Sequence, residues 1–207
     1  MSRPSLHVEP SGAAATARHY IRDLVYGAND GIITTFAVVS GVAGGQLSQL
    51  AVLVVGAANL AADGVSMGVG NFLAIRADEQ AREADGLPEL EQHPWKHGLA
   101  TLFAFVIAGA VPLAAYVLPL PSVHRLAVSS AMTFGALFLL GAARAWVTRD
   151  RWWQTGLETL ALGAVVAGAA YAAGRLVASV AQLPWLAADY HMVAACLFTQ
   201  AASAHGV

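Results

Sequence analysis

Residues 57–73, AANLAADGVSMGVGNFL, are apolar enough to lie in a membrane, yet they carry a carboxylate at their centre. Asn59, Asp63 and Met67 recur every four residues, so an α-helix places them in one stripe about a turn apart. A charge at bilayer depth costs roughly 2.5 to 3.5 kcal/mol even on the mildest insertion scale and usually faces protein or water. The stripe therefore favours an ion pathway, with interhelical hydrogen bonding by Asn59 and core filling by Met67 as the alternatives.

The composition of the whole chain is typical of a membrane protein. Of its 207 residues, 57% are hydrophobic and 12% are charged, against about 25% charged in soluble domains. The net charge of −2, without a clustered basic face, gives no reason to expect nucleic-acid binding. We therefore predict an all-α integral membrane protein whose main surroundings are the lipid bilayer.

Five apolar segments are long enough to cross a hydrocarbon core, which takes about 20 residues. We place these transmembrane helices near 24–45, 50–75, 98–118, 124–147 and 154–178, within a domain spanning 19–178. The arm at 1–18 lacks a continuous apolar run, so we expect it to be disordered and not a cleavable signal peptide. The apolar run in the tail at 179–207 is too short for a sixth crossing, and we expect the tail to lie at the membrane interface.

Lys and Arg are distributed unequally between the two sides of this arrangement. With the N-terminus inside, nine of the 11 lie on the inner side, and only Arg125 and Arg175 lie outside. Cytoplasmic loops are the ones enriched in these residues. We therefore predict a cytoplasmic N-terminus and an external C-terminus.

The first helix carries carboxylates of its own. Asp23 and Asp30 lie two turns apart on one face, about 10.5 Å along the axis. Asp23 would lie at the cytoplasmic mouth, where an ordinary ion pair with Arg18 or Arg22 is the alternative to a role in transport. Asp30 is deeper, and no Lys or Arg follows it until Arg76, so we expect its partner to be a metal ion or a proton.

Two pairs of glycines surround these polar residues. Gly27 and Gly31 flank the first-helix pair Asn29-Asp30, and Gly64 and Gly68 flank Met67, each pair at GxxxG spacing. Such spacing permits close contact between helices. We expect helices one and two to pack together with their carboxylates converging.

The connection at 76–97 carries six acidic residues together with His93 and His97. Its first part is predicted to continue the second helix to about Gly86. The acidic run is typical of a solvated helix face, and a weak cytoplasmic metal-collecting surface that includes Glu79 and Glu83 is the alternative. The seven histidines are scattered along the sequence, and none is assigned as a ligand.

Carboxylate and amide oxygens combined with a thioether favour Fe²⁺ or Mn²⁺ over Mg²⁺ or Ca²⁺. Carboxylates at depth can also exchange a proton for the metal, which provides a route to antiport. An enzyme is not expected, because no Ser/His/Asp or Cys/His arrangement falls at one membrane depth and no phosphate-binding Gly-rich loop is present.

The chain resembles the vacuolar iron transporter family over residues 19–176, most specifically through NDG at 29–31 and DGVSMG at 63–68. The resemblance implies a homodimer of five-helix subunits whose first helices line a translocation path at the dimer axis. It implies export of Fe²⁺ and often Mn²⁺ from the cytoplasm in exchange for protons, with the metal as substrate and no permanently bound cofactor. By position, Asp23 and Asp30 look like carboxylates of that path, and Met67 looks like its sulfur ligand.

The chain departs from the family pattern in two places. Asn59 stands where iron-transporting members carry a glutamate, with Asp63 one turn on, as in the nodulin-like branch. Only the short connection at 76–97, which has no Met, replaces the cytoplasmic metal-binding domain of other members. We therefore expect cytoplasmic metal capture to be weak or absent, with Glu79 and Glu83 at most a vestige of it.

The sequence thus predicts a proton-coupled exporter of Fe²⁺ or Mn²⁺ in iron and manganese homeostasis, located in the cytoplasmic membrane if the source is bacterial. The alternative is a non-transporting membrane protein that binds metal or a partner and regulates homeostasis. The buried carboxylates favour the transporter, because a scaffold has no need of them.

Overall fold

Five α-helices make up the computed structural model, which describes residues 5–7, 10–119, 121–148 and 150–181. The helices are α1 Ala13–Gly44, α2 Gln49–Ala84, α3 Pro94–Val117, α4 Ser122–Thr148 and α5 Trp152–Ala181. Each predicted transmembrane segment overlaps one helix. Apart from its first three residues, the predicted interfacial tail at 179–207 lies outside the described residues.

The helices have the length and composition of membrane spans. Four of them qualify, namely α2, α3, α5 and residues 124–145 of α4. The 32-residue α1 is long enough, but its most apolar stretch is less apolar than those of these four, because Asn29 and Asp30 interrupt its apolar residues. The chain is an all-α membrane protein, as predicted.

The helix α1 lies at the centre of the bundle and contacts all four other helices. Its buried residues Phe36 and Val39 join Phe105, Leu113 and Tyr116 of α3 in the main hydrophobic core. This central position is what allows a helix with polar residues at mid-length to be buried by protein instead of facing lipid.

Both glycine pairs pack against α3 and not against each other. A Cβ atom on Gly27 would lie 2.5 Å from the carbonyl oxygen of Thr101, and one on Gly31 would overlap the backbone of Phe105. On α2, a Cβ atom on Gly68 would lie 2.9 Å from the carbonyl oxygen of Gly98. The expectation that these glycines join helices one and two was therefore wrong, since GxxxG spacing marks a close approach without specifying the partner.

Two parts of the N-terminal arm, residues 5–7 and 10–18, have a described structure. Helix α1 begins at Ala13 and not after residue 18, and the Leu6 N–H donates to the Glu89 carbonyl oxygen at 2.8 Å. Backbone pairing of this kind requires no apolar run, so hydropathy gives no sign of it. The arm is thereby held against the connection between α2 and α3.

Helix α2 ends in a glycine turn close to the predicted position. Gly86 has φ +70°. The Leu87 N–H donates to the Arg82 carbonyl oxygen at 2.8 Å, and the Gly86 N–H donates to the Glu83 carbonyl oxygen at 3.1 Å. These two bonds are those of a Schellman motif. The turn sends the following residues back over the start of α1.

Candidate metal sites

We use the name mid-helix stripe for Asp30 of α1 together with Asn59, Asp63 and Met67 of α2. All four side chains are half-buried. The charges of Asp30 and Asp63 are close enough to interact. The two side chains thus share one electrostatic environment, although the glycines beside them pack against α3.

The other two members of the stripe differ in their surroundings. Asn59 has a buried amide nitrogen without a hydrogen-bond partner among the described residues. Most buried amide groups are paired. A cation would be bound by the oxygen of this amide, not by its nitrogen. Met67 packs against the hydrophobic core, as a core-filling residue would.

Asp23, which the sequence places at the mouth of the path, is fully buried in a polar network. It is only 2% exposed, and its Oδ1 accepts from Nδ2 of Asn71 at 2.9 Å. Its Oδ2 lies 2.5 Å from Nδ1 of His97, whereas the guanidinium of Arg22 is 3.8 Å away and largely exposed. Asp23 therefore joins α1 to α2 and α3, with only a long ion pair to Arg22.

The structure brings together two histidines near the N-terminus and two near the start of α3. The histidine cluster, as we name it, consists of His7, His19, Glu91, His93 and His97. His97 Nε2, His19 Nε2 and His7 Nδ1 lie 3.1, 3.2 and 3.5 Å from the same oxygen, Oε2 of Glu91. The sequence assigns no histidine as a ligand, and the structure makes these four candidates, because the folding of the chain sets this arrangement and helical spacing does not.

Two groups within the histidine cluster have the geometry to hold a metal ion. They are His19, Glu91 and His97, and His7, Glu91 and His93, and the ligand atoms of each group lie within 4.8 Å of one another. The one sequence signal was the pair His93 and His97, four residues apart around the Pro94 that begins α3.

Glu91 is held in place by its neighbours. Glu79 Oε1 accepts from the backbone N–H groups of Leu90 and Glu91, both at 2.9 Å, and Glu91 Oε1 accepts from the N–H of His93 at 2.8 Å. Burial acts to raise the pKa of Glu91, but the His93 N–H and the nearby His97 and His7 lower it overall. Glu91 is therefore an ionised acceptor at neutral pH.

The histidine cluster opens into a polar cleft of about 480 Å³, lined in part by His19, Asp23, Glu79, Glu91 and His97. A water-accessible cleft provides a route for a hydrated ion. Of the two acidic candidates from the sequence, Glu79 accepts hydrogen bonds from the backbone of residues 90 and 91. Glu83 is exposed on the rim of a neighbouring cleft.

Comparison with known proteins gives consistent matches along the chain. The sequence model of the VIT family matches residues 21–89 and 78–175. Vacuolar iron transporter 1 of Arabidopsis thaliana is 25% identical over 219 residues, covering 78% of this chain and 88% of that protein. Vacuolar iron transporter 1 of Eucalyptus grandis is 27% identical over 222 residues, covering 79% and 89%. Vacuolar iron transporter homolog 1 of Oryza sativa subsp. japonica is 31% identical over 141 residues, covering 62% and 61%.

Proposed function

The chain belongs to the VIT family, and from that membership we propose that it exports Fe²⁺ or Mn²⁺ from the cytoplasm in exchange for protons. The relatives from Arabidopsis and Eucalyptus are named as iron transporters, which supports a metal ion as the cargo. The metal is then a substrate and not a resident cofactor, and no enzymatic reaction is assigned. The chain would serve iron or manganese homeostasis.

The observation that carries this proposal is that two half-buried carboxylates, Asp30 and Asp63, lie in apolar helices and interact electrostatically. Two negative charges that are close together in a medium of low polarity repel each other, and each is costly to bury alone. A divalent cation between them offsets both costs. A membrane scaffold without cargo has no use for such a pair.

Proton coupling follows from the same carboxylates. When the metal leaves, protonation of Asp30 or Asp63 removes the repulsion, so metal and proton occupy the pair in turn. The amide oxygen of Asn59 would supply a further ligand, and Met67 would supply sulfur. This mixture of oxygen and thioether favours Fe²⁺ or Mn²⁺ over Mg²⁺ and Ca²⁺.

The direction of transport rests on the distribution of Lys and Arg, which assigns the N-terminal end of α1 to the cytoplasm. In a bacterium the membrane would be the cytoplasmic one. A homodimer with α1 at its axis is part of the proposal. It is supported by Tyr26, one turn before Asp30, which is 60% exposed and leaves room for a second subunit beside the stripe.

The test is metal flux into liposomes that contain the purified full-length chain and a pH-sensitive dye. Wild type, Asp30→Asn and Asp63→Asn are compared with Asp85→Asn, which removes an exposed carboxylate just after α2. We expect wild type and Asp85→Asn to carry Fe²⁺ or Mn²⁺ with opposing proton movement. The two stripe variants should fall to the level of protein-free liposomes.

Each contrary outcome removes a different part of the proposal. Flux without proton movement would remove antiport, and flux retained by both stripe variants would remove the site. A folded wild-type chain that moves none of Fe²⁺, Mn²⁺, Mg²⁺ and Ca²⁺ would leave the regulatory, non-transporting alternative.

A further inference from the structure

We propose that His19, Glu91 and His97 bind a divalent transition-metal ion at the N-terminal end of the bundle, with His7 and His93 completing the ligand set from the other side of Glu91. The site is separate from the mid-helix stripe, because His19 and Asp30 are about 16 Å apart along α1. This reverses the expectation from the sequence that metal capture at this end is weak or absent.

The first argument is the direction in which the ring nitrogens point. Nε2 of His19 and Nε2 of His97 are buried and lie 3.2 and 3.1 Å from Oε2 of Glu91. Across the part of the chain that the structure describes, Nε2 of His19 has no hydrogen-bond partner of good geometry, whereas Nε2 of His97 is paired with Glu91. Two ring nitrogens directed at one carboxylate oxygen, with all three ligand atoms within 4.8 Å of one another, form the arrangement expected around a shared cation.

The second argument is the support behind His97, whose side chain is only 9% exposed. Its Nδ1 lies 2.5 Å from Oδ2 of Asp23, and the other oxygen of Asp23 accepts from Asn71. A carboxylate on Nδ1 holds the proton on that atom and leaves the lone pair of Nε2 directed at the ion. Carboxylates behind ligand histidines are the usual supporting partners in protein metal sites.

The third argument is the way Glu91 is fixed. Glu79 Oε1 binds the backbone N–H groups of Leu90 and Glu91, and the arm meets the same segment, where His7 Nδ1 lies 3.2 Å from the carbonyl oxygen of Leu90. These contacts position Glu91 in the cleft without using the oxygen that faces the histidines. A peptide of residues 76–97 lacks His7 and His19, so it would not reproduce this site.

The ligand set defines the class of metal. Two imidazoles and one carboxylate suit Fe²⁺, Co²⁺, Ni²⁺ and Zn²⁺, whereas Mg²⁺ and Ca²⁺ prefer a full set of oxygens. The set offers stronger ligands for these ions than the carboxylates and amide of the stripe. At the proposed cytoplasmic side it would capture metal before transport, a role that rests on the proposed function, whereas the binding itself does not.

The experiment is equilibrium binding of Co²⁺ to the purified full-length chain in detergent, followed by the visible absorption of the bound ion. His19→Ala and Glu91→Gln remove ligands, and His124→Ala removes an exposed histidine at the start of α4, at the other end of the bundle. The double variant Asp30→Asn with Asp63→Asn removes the stripe. We expect the Kd to rise about 10-fold or more in the two ligand variants and to stay within about twofold in His124→Ala, while the stripe double variant keeps the Co²⁺ bound by the histidine cluster.

Two results would overturn the proposal. Equal Kd values in wild type, His19→Ala and Glu91→Gln would show that the histidine cluster is an ion-pair network only. Loss of Co²⁺ binding in the stripe variant alone would assign the ion to the stripe. The two ligand variants test the site independently. His19 is 25% exposed, so His19→Ala should be tolerated by the fold, and Glu91→Gln keeps the shape of the side chain. Circular dichroism checks that both variants are folded. Proton-coupled flux is measured separately, so failure here leaves the transport proposal intact.

Discussion

Helix α1 takes part in two polar regions that are built in different ways. The mid-helix stripe lies along two helices, and its members on α2 recur at helical spacing. The histidine cluster is assembled from the arm, α1, the connection after α2 and the start of α3. A site laid along a helix is visible as periodicity, whereas a site assembled between segments exists only once the chain has folded.

The two regions also differ in ligand chemistry. The stripe offers two carboxylates, an amide and a thioether, a set from which an ion is readily released. The histidine cluster offers imidazoles around one carboxylate, which bind borderline metals more strongly. If both proposals hold, one region captures the ion and the other passes it on.

The largest expected effect would break the stripe while leaving the histidine cluster in place. Gly31→Val inserts a side chain into the backbone of Phe105, whereas Gly70→Val on α2 meets nothing within 4 Å. Overpacking costs about 1 to 3 kcal/mol, and more where backbone is involved. We expect a lower melting temperature and lost flux for Gly31→Val but little change for Gly70→Val, measured by circular dichroism and liposome flux. Equal melting of the two variants would contradict the close approach of α1 to α3.

Asp23 could belong to either region. The family resemblance implies a place in the translocation path, whereas the structure shows a hydrogen bond to His97 of the histidine cluster. If its role is to orient His97, Asp23→Asn should weaken Co²⁺ binding about 10- to 100-fold. Maximal flux at saturating metal should then be retained. The matched control is Asp78→Asn, an exposed carboxylate lining the same cleft. Flux lost even at saturating metal would instead make Asp23 part of the translocation path.

A smaller effect is expected from Glu79, which holds the backbone of residues 90 and 91. Glu79→Gln replaces a charged acceptor with a neutral one, so Glu91 is positioned less firmly, and we expect a roughly 10-fold rise in the Kd for Co²⁺. Glu83→Gln is the matched control on the exposed rim and should leave the Kd unchanged. If the two variants weaken binding equally, the loss of one negative charge explains the effect, and the positioning of Glu91 by Glu79 does not.

The smallest effect is expected outside both regions. Arg144 of α4 and Glu158 of α5 form an ion pair at 3.5 Å, with side chains 41% and 69% exposed. Exposed ion pairs of this kind contribute about 0 to 1 kcal/mol. Glu158→Gln should therefore leave the melting temperature, the Co²⁺ affinity and the flux nearly unchanged. A large loss of flux with an intact fold would bring Glu158 into the transport mechanism.

Much of the architecture could be predicted from the sequence, because apolar length and helical spacing are local properties. The helices, the end of α2 near Gly86 and the stripe of Asn59, Asp63 and Met67 are all of this kind. The partner of each glycine pair is not local. Gly27 and Gly68 both pack against α3, and no spacing within α1 or α2 encodes that choice.

The histidine cluster was missed for a related reason. His19 and Glu91 are separated by the whole of α2, and they meet because α2 returns the chain to the end of the bundle at which α1 begins. The order of the arm likewise depends on a backbone hydrogen bond from Leu6 to Glu89. Neither contact leaves a trace in hydropathy or charge counts.

The packing of both glycine pairs on α3 has a consequence for how the protein is made. During synthesis α1 emerges before α2 and α3, yet its polar centre makes its most apolar stretch less apolar than those of the four helices that have the composition of membrane spans. The surface that buries Gly27 and Gly31 belongs to α3, which is translated only after α2 and the connection. We therefore expect α1 to settle in the bilayer late, once α3 has emerged from the ribosome, and biogenesis to depend more on α3 than on the first hairpin.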